Sequence, residues 1–150
     1  MRKQAITLFA VALTVALFML GCGGDSASIS KAEFIKQAEA VCEEGEKQLR
    51  KDLAAFLKKH ENVKSPTQED VAELVQVVFS GNIKAEVKKL RAIEVPSGDK
   101  KQVKALLDAR EESLKNAEAN PLGLNRNSKL IFAKSRKLAK EYGLEECAQR

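Results

Sequence analysis

The chain has 150 residues, with 26 basic and 21 acidic side chains, three cysteines, one histidine, one tyrosine and no tryptophan. That length accommodates one domain, and 44% hydrophobic with 31% charged residues is a folding composition rather than a disordered one. A net charge of only +5 without an aromatic platform argues against nucleic-acid binding, and a single imidazole leaves little for acid–base or zinc chemistry.

The chain begins with an address. Arg2 and Lys3 precede an apolar run from Ala5 to Leu20, broken only by Thr7 and Thr14, and the small residues Gly21, Cys22, Gly23 and Gly24 follow. This basic, apolar, small-residue order is that of a secretory signal peptide. The run is shorter than the roughly 20 residues of a membrane span, which makes an uncleaved anchor the lesser alternative. The segment FMLGC, ending at Cys22, resembles the lipobox of bacterial lipoproteins. That resemblance implies cleavage between Gly21 and Cys22 and acylation of the Cys22 sulfur. Leu20 departs from the small residue usual at its position, and a plain signal peptide with an incidental cysteine is the competing reading. The expected organisation is a leader over 1–21, a lipidated cysteine and short tether over 22–29, and a helical domain over 30–150. The chain would then work outside the cytoplasm, held to the cell membrane by acyl chains that contribute about 0.8 kcal/mol per buried CH₂.

Lipidation of Cys22 leaves Cys42 and Cys147 as a pair. In an oxidising compartment a disulfide between them forms and persists; the alternative is two unpaired buried thiols. A metal site is disfavoured, since His60 is the only imidazole available to complete one, and no cofactor is expected.

From the tether onward the chain reads as helix. Ser30 and Glu33 form a capping box, with Ile29 and Phe34 as its hydrophobic staple. Phe34, Ala38, Val41, Cys42, Gly45, Leu49, Leu53, Phe56 and Leu57 then recur at three- and four-residue steps along one face. A second helix is expected from Ser65-Pro66, boxed by Gln68 and running to just before Pro96. Its apolar face holds Val71, Leu74, Val75, Val78, Phe79, Ile83, Val87 and Leu90. The β-branched run VVFSGNI imitates a strand, but the helical phase continues through it, with a kink expected at Ser80-Gly81. Asp99 caps a third helix through Ala117, and Asn120-Pro121-Leu122-Gly123 reads as a loop. The fourth helix spans about Ser128 to Tyr142, with Ile131, Ser135, Leu138 and Tyr142 inward. Gly143 is its left-handed C-cap, against which Leu144 folds back. The whole reads as an all-α, four-helix antiparallel bundle whose C-terminal tail is stapled to the first helix. The first two helices are expected to outreach the last two, or else the second breaks at Gly81.

No catalytic motif occurs: there is no phosphate-binding loop, nucleophile elbow, HExxH or EF-hand pattern. His60 sits at the end of the first helix and reads as a terminal capping residue; only a cleft joining it to two carboxylates would suggest an enzyme. Arg126, Lys129, Lys134, Arg136, Lys137 and Lys140 form an acid-free basic stretch, a candidate contact for anionic headgroups or an anionic envelope polymer. A solvated face balanced by acidic residues of the first helix is the alternative. Finally, FIKQAEAVC (34–42) with YGLEEC (142–147) resembles small exported lipoproteins of actinobacteria, which pair an early helix of this kind with a late cysteine ending. That likeness implies the Cys42–Cys147 bridge and extracytoplasmic life, and no activity. The functional expectation is a membrane-anchored contact module for a partner protein or the envelope, with a small-molecule-binding lipoprotein built on an interhelical pocket as the alternative.

Overall fold

The computed structural model describes residues 28–63 and 65–149, the side chains of 124–128 excepted. The expected leader over 1–21, Cys22 and the expected tether before Ser28 lie outside the described residues. Those described are predominantly helical, with no strand among them. The elements are α1 (Lys31–Lys59), α2 (Gln68–Glu73), a π-helical stretch (Leu74–Ser80), α3 (Gly81–Ala92), α4 (Lys100–Ala119), α5 (Pro121–Ile131), α6 (Ala133–Tyr142) and α7 (Glu145–Ala148).

α1 starts where its cap predicts. Ser30 Oγ accepts the Glu33 amide at 3.1 Å, while the Glu33 carboxylate turns forward to Gln37 Nε2 at 2.9 Å rather than back to the cap. Ile29 packs against the cluster that holds Phe34, so the staple forms. The second helix begins two residues later than expected. Thr67 is the N-cap, and Asp70 completes a reciprocal box: Thr67 Oγ1 accepts the Asp70 amide and Asp70 Oδ2 accepts the Thr67 amide. Aspartate is short enough to close this box, which is why the Ser65/Gln68 reading missed it.

α2, the π stretch and α3 continue into one another as a single rod, in which a π-helical stretch ends at Ser80, immediately before Gly81, where a kink is expected, and both residues keep helical dihedrals. Here Asn82 Nδ2 donates to the Val78 carbonyl at 2.7 Å and to Asp52 Oδ2 on α1 at 2.9 Å. Pairs along the rod fix its course beside α1: Lys59 with Glu73, Asp52 with Asn82, and Lys89 with Glu44. As one number rises the other falls, so the rod runs back along α1.

The largest departure lies after α4. Asn120 ends that helix, but the expected loop is helical. Pro121 takes the first position of α5, where its missing N–H costs nothing, and Asn120 Oδ1 accepts the Gly123 amide at 3.0 Å. The helical path is interrupted only at Phe132 (φ −97°, ψ 6°) before α6. The expected mismatch between a long first pair and a short second pair is thereby largely removed.

Asp99 precedes α4 as anticipated, yet its side chain does not cap. Asp99 Oδ2 instead accepts the Tyr142 hydroxyl at 2.7 Å. Tyr142 also meets Phe34 edge-on at 5.6 Å between ring centres, and Lys31 Nζ lies 4.2 Å above its ring. Burial first, then the Asp99 carboxylate, push the Tyr142 hydroxyl well above its ordinary pKa. Gly143 adopts φ +98°, and the Leu144 amide reaches the Ala139 carbonyl at 2.9 Å, closing a Schellman-type end. α7 then delivers Cys147 to Cys42, and the two form a disulfide with Cα atoms 5.2 Å apart.

Two apolar clusters make the core. One surrounds the disulfide with Phe34, Ala38, Leu90, Val103, Leu106, Leu107, Ala139, Tyr142 and Leu144. The other joins Val75, Ile83, Val87, Leu114, Ala117 and Phe132. On α4 Arg110 falls between Leu107 of the first cluster and Leu114 of the second, and on α3 Glu86 stands beside Val87 of the second, one turn before Leu90 of the first. Their side chains pair at 2.7 Å between Arg110 Nη2 and Glu86 Oε1, 3% and 0% exposed.

Candidate functional site

That seam opens into a cleft of about 630 Å³ between α1, the second rod, α4 and the α5–α6 segment. Twelve of its eighteen lining residues are apolar: Leu49, Phe56, Leu57 and Val63 from α1 and its exit; Pro66, Val71, Leu74, Val75, Phe79 and Ile83 from the second rod and its approach; and Pro121 and Phe132 at the two ends of α5. The remaining six are Glu46, His60, Asp70, Arg110, Arg136 and Gln149. The π stretch supplies Leu74, Val75 and Phe79 to one wall. Widened helical turns of this kind recur at functional sites, because the extra residue re-aims side chains that a regular helix would direct elsewhere. The helical reading of Pro121 onward, absent from the sequence expectation, forms another wall.

The polar groups fall at two ends. At one, His60 stacks on Phe56 with ring centres 4.3 Å apart, its Nδ1 lies 3.4 Å from Asp70 Oδ1, and its Nε2 lies 3.7 Å from Glu73 Oε2. His60 is the C-cap of α1, as expected, and its backbone amide closes the last turn. The bonds from Thr67, backbone first and hydroxyl second, hold the Asp70 carboxyl below its usual range. At the other end Arg110, tied to Glu86, also donates through Nη1 to the Cys147 carbonyl at 3.5 Å. Arg136 from α6, Glu46 from α1 and Gln149 near the chain end complete it. Beside the cleft mouth Leu57 and Val63 stand 57% and 41% exposed.

The basic stretch is distributed rather than gathered. Arg126 has its side chain outside the described residues. Lys134 Nζ pairs with Glu112 at 3.0 Å, Lys137 lies 3.8 Å from Glu141, and Lys129 and Lys140 are exposed. Arg136 turns into the cleft instead. Among the described residues, no group of three or more His, Cys, Asp or Glu is arranged to hold a metal ion, and no helix is long and apolar enough to cross a membrane.

Glu86 and Arg110 escaped the sequence reading, although a signal was there. Glu86 occupies a core position between Ile83 and Leu90, and Arg110 one between Leu107 and Leu114. A charge on the apolar stripe of each of two neighbouring helices is the pattern of a buried pair. Comparison with protein-family models, with characterised proteins and with solved structures returns no match for this chain.

Proposed function

We propose that the chain is an extracytoplasmic lipoprotein, acylated at Cys22, whose helical domain binds a small, largely apolar ligand in the interhelical cleft. The observation that carries this reading is the cleft itself. A volume of about 630 Å³ lies within the roughly 300–1,000 Å³ of ligand sites, and apolar walls with a few polar groups at the ends are their usual chemistry. A contact module needs no such cavity, which moves the preference from the contact role to the ligand role. The same reading treats the four rods as an antiparallel bundle with its tail stapled to α1. The short tether, about 20 Å when extended, would keep that bundle near the membrane surface.

Two other readings have one observation each. Exposed Lys129, Lys137 and Lys140 support contact with an anionic envelope polymer or partner protein. His60 beside Asp70 and Glu73 is the grouping that would support an enzyme.

Fluorescence enhancement of an apolar naphthylamine probe by residues 28–150 tests the cleft. Leu49→Trp, which fills it from α1, should abolish saturable enhancement while leaving the melting curve cooperative. Undiminished enhancement in that variant would reject the cleft as the site. Intact-mass analysis of the membrane fraction tests the anchor, which requires loss of residues 1–21 and added acyl mass.

A further inference from the structure

We infer that α2 is a lid, swinging about the start of the π stretch to admit the ligand to the cleft; this rests on the ligand-binding reading above. Three observations combine. The first is a gap in burial. From Glu43 to Leu74 no described residue is buried, whereas Phe34, Ala38 and Cys42 precede that span and Val75, Val78 and Ser80 follow it. The apolar residues within it are half-buried or exposed: Leu49, Leu53, Phe56 and Leu57 on α1, and Val71 and Leu74 on the second rod. An element without buried apolar residues opens locally at a small fraction of the global unfolding free energy. α2 is such an element, whereas α3 and α4 each carry several buried apolar side chains.

The second observation is the hinge. The Leu74 amide is shared between the Asp70 and Val71 carbonyls, where α-type bonding passes into the π stretch. One N–H divided between two acceptors is poorly aligned with both and holds neither as firmly as a single bond would. At the next residue Val75 is 1% exposed and anchors the rod in the core. Weak bonding beside a fixed point confines rotation to Glu73-Leu74, an element end of the kind that serves as a hinge. The third is the clasp. Asp70 and Val71 of α2, with Pro66 before it and Leu74 after it, line the cleft. Charges tie α2 to the end of α1: Lys59 Nζ lies 2.8 Å from Glu73 Oε1, and His60 lies 3.4 Å from Asp70 and 3.7 Å from Glu73. Ion pairs this accessible contribute little, so the clasp closes the lid without locking it. An apolar ligand supplies what the clasp lacks, because Val71 and Leu74 gain burial against it when α2 is down.

The test is hydrogen exchange of the full chain in phosphatidylcholine nanodiscs, resolved to single amides by mass spectrometry. The amides of Val71 to Leu74 should share one opening rate, at least about a hundredfold less protected than Leu106 to Leu114 of α4, with the boundary of protection at Val75. The naphthylamine probe at about ten times its Kd should slow their exchange about tenfold, because it binds the closed state. Glu73→Gln removes the carboxylate that Lys59 and His60 face, and should speed the same amides about two- to fivefold, the range of one exposed ion pair. Exchange in α4 should not change in that variant. Protection of α2 equal to that of α3, or a gradient rising from Gln68 that the probe does not alter, overturns the lid. Saturable probe fluorescence with unaltered α2 exchange would remove the lid and leave the ligand site standing, whereas absence of saturable fluorescence would remove both.

Discussion

The buried pair at the inner end of the cleft offers the sharpest energetic prediction. Glu86 and Arg110 are 0% and 3% exposed and 2.7 Å apart, so each has exchanged its hydration for the other. Removing one partner leaves an uncompensated charge at the seam between the two core clusters, which costs about 3–5 kcal/mol. A domain of this size has a total stability of roughly 6–18 kcal/mol at 0.05–0.15 per residue, so Glu86→Leu alone should consume a large part of it. With a urea m-value of about 1.5 kcal/mol/M, the midpoint should fall by roughly 2–3 M. Arg110→Met should behave alike, with the lost donor to the Cys147 carbonyl adding to its cost. The double variant Glu86→Leu/Arg110→Met buries similar volume without charge and should return to within about 1–2 kcal/mol of the parent. The assay is a double-mutant cycle by urea unfolding with two spectroscopic probes. Additive losses, with a double variant as damaged as the sum of the singles, would refute the claim that the two charges compensate each other.

Three further outcomes follow from the same structure. Cys147→Ser opens a loop closed over a sequence separation of 105, for which the chain-entropy model gives about 4.7 kcal/mol; strong reductant should bring the parent's unfolding midpoint down to that of the variant. Gly143→Ala should cost roughly 1–2 kcal/mol because φ is +98°, and the cost is conformational, since the new Cβ would meet only Ile35 Cδ1 at 3.5 Å. Asp70 is held below its ordinary pKa by Thr67, so its contribution is present above the unfolded pKa and lost as pH falls through the folded one. Thr67→Ala should therefore flatten the acid limb of the stability–pH curve, and an unchanged limb would show that the box does not set it.

Much of the fold was legible because capping and periodicity are local. Ser30, the stripe through Phe34 and Cys42, and Gly143 each state a conformation that neighbouring residues can satisfy alone. Asn120-Pro121 misled because the same dipeptide opens a turn or starts a helix, and packing against the second rod, not the dipeptide, selects the helix. Asp99 misled in the other direction: it stands at a cap position, but a tyrosine hydroxyl 43 residues away competes for its carboxylate. The cleft was the least legible feature. Its lining comes from α1, the second rod, α4 and the α5–α6 segment, and residues such as Leu49, Leu74 and Phe79 carry the same apolar signature whether they fill a core or border a cavity. Only Glu86 and Arg110, charges set on apolar stripes, marked the place in the sequence.

The central claim is that the cleft holds a ligand in a chain tethered outside the cell. Native mass spectrometry of the chain recovered from its own membranes tests this most directly. The account predicts a species beginning at acylated Cys22 that carries a further, non-covalent mass, with that mass lost in Leu49→Trp. Parent and variant recovered with identical masses apart from the substitution, neither holding a ligand, would contradict it.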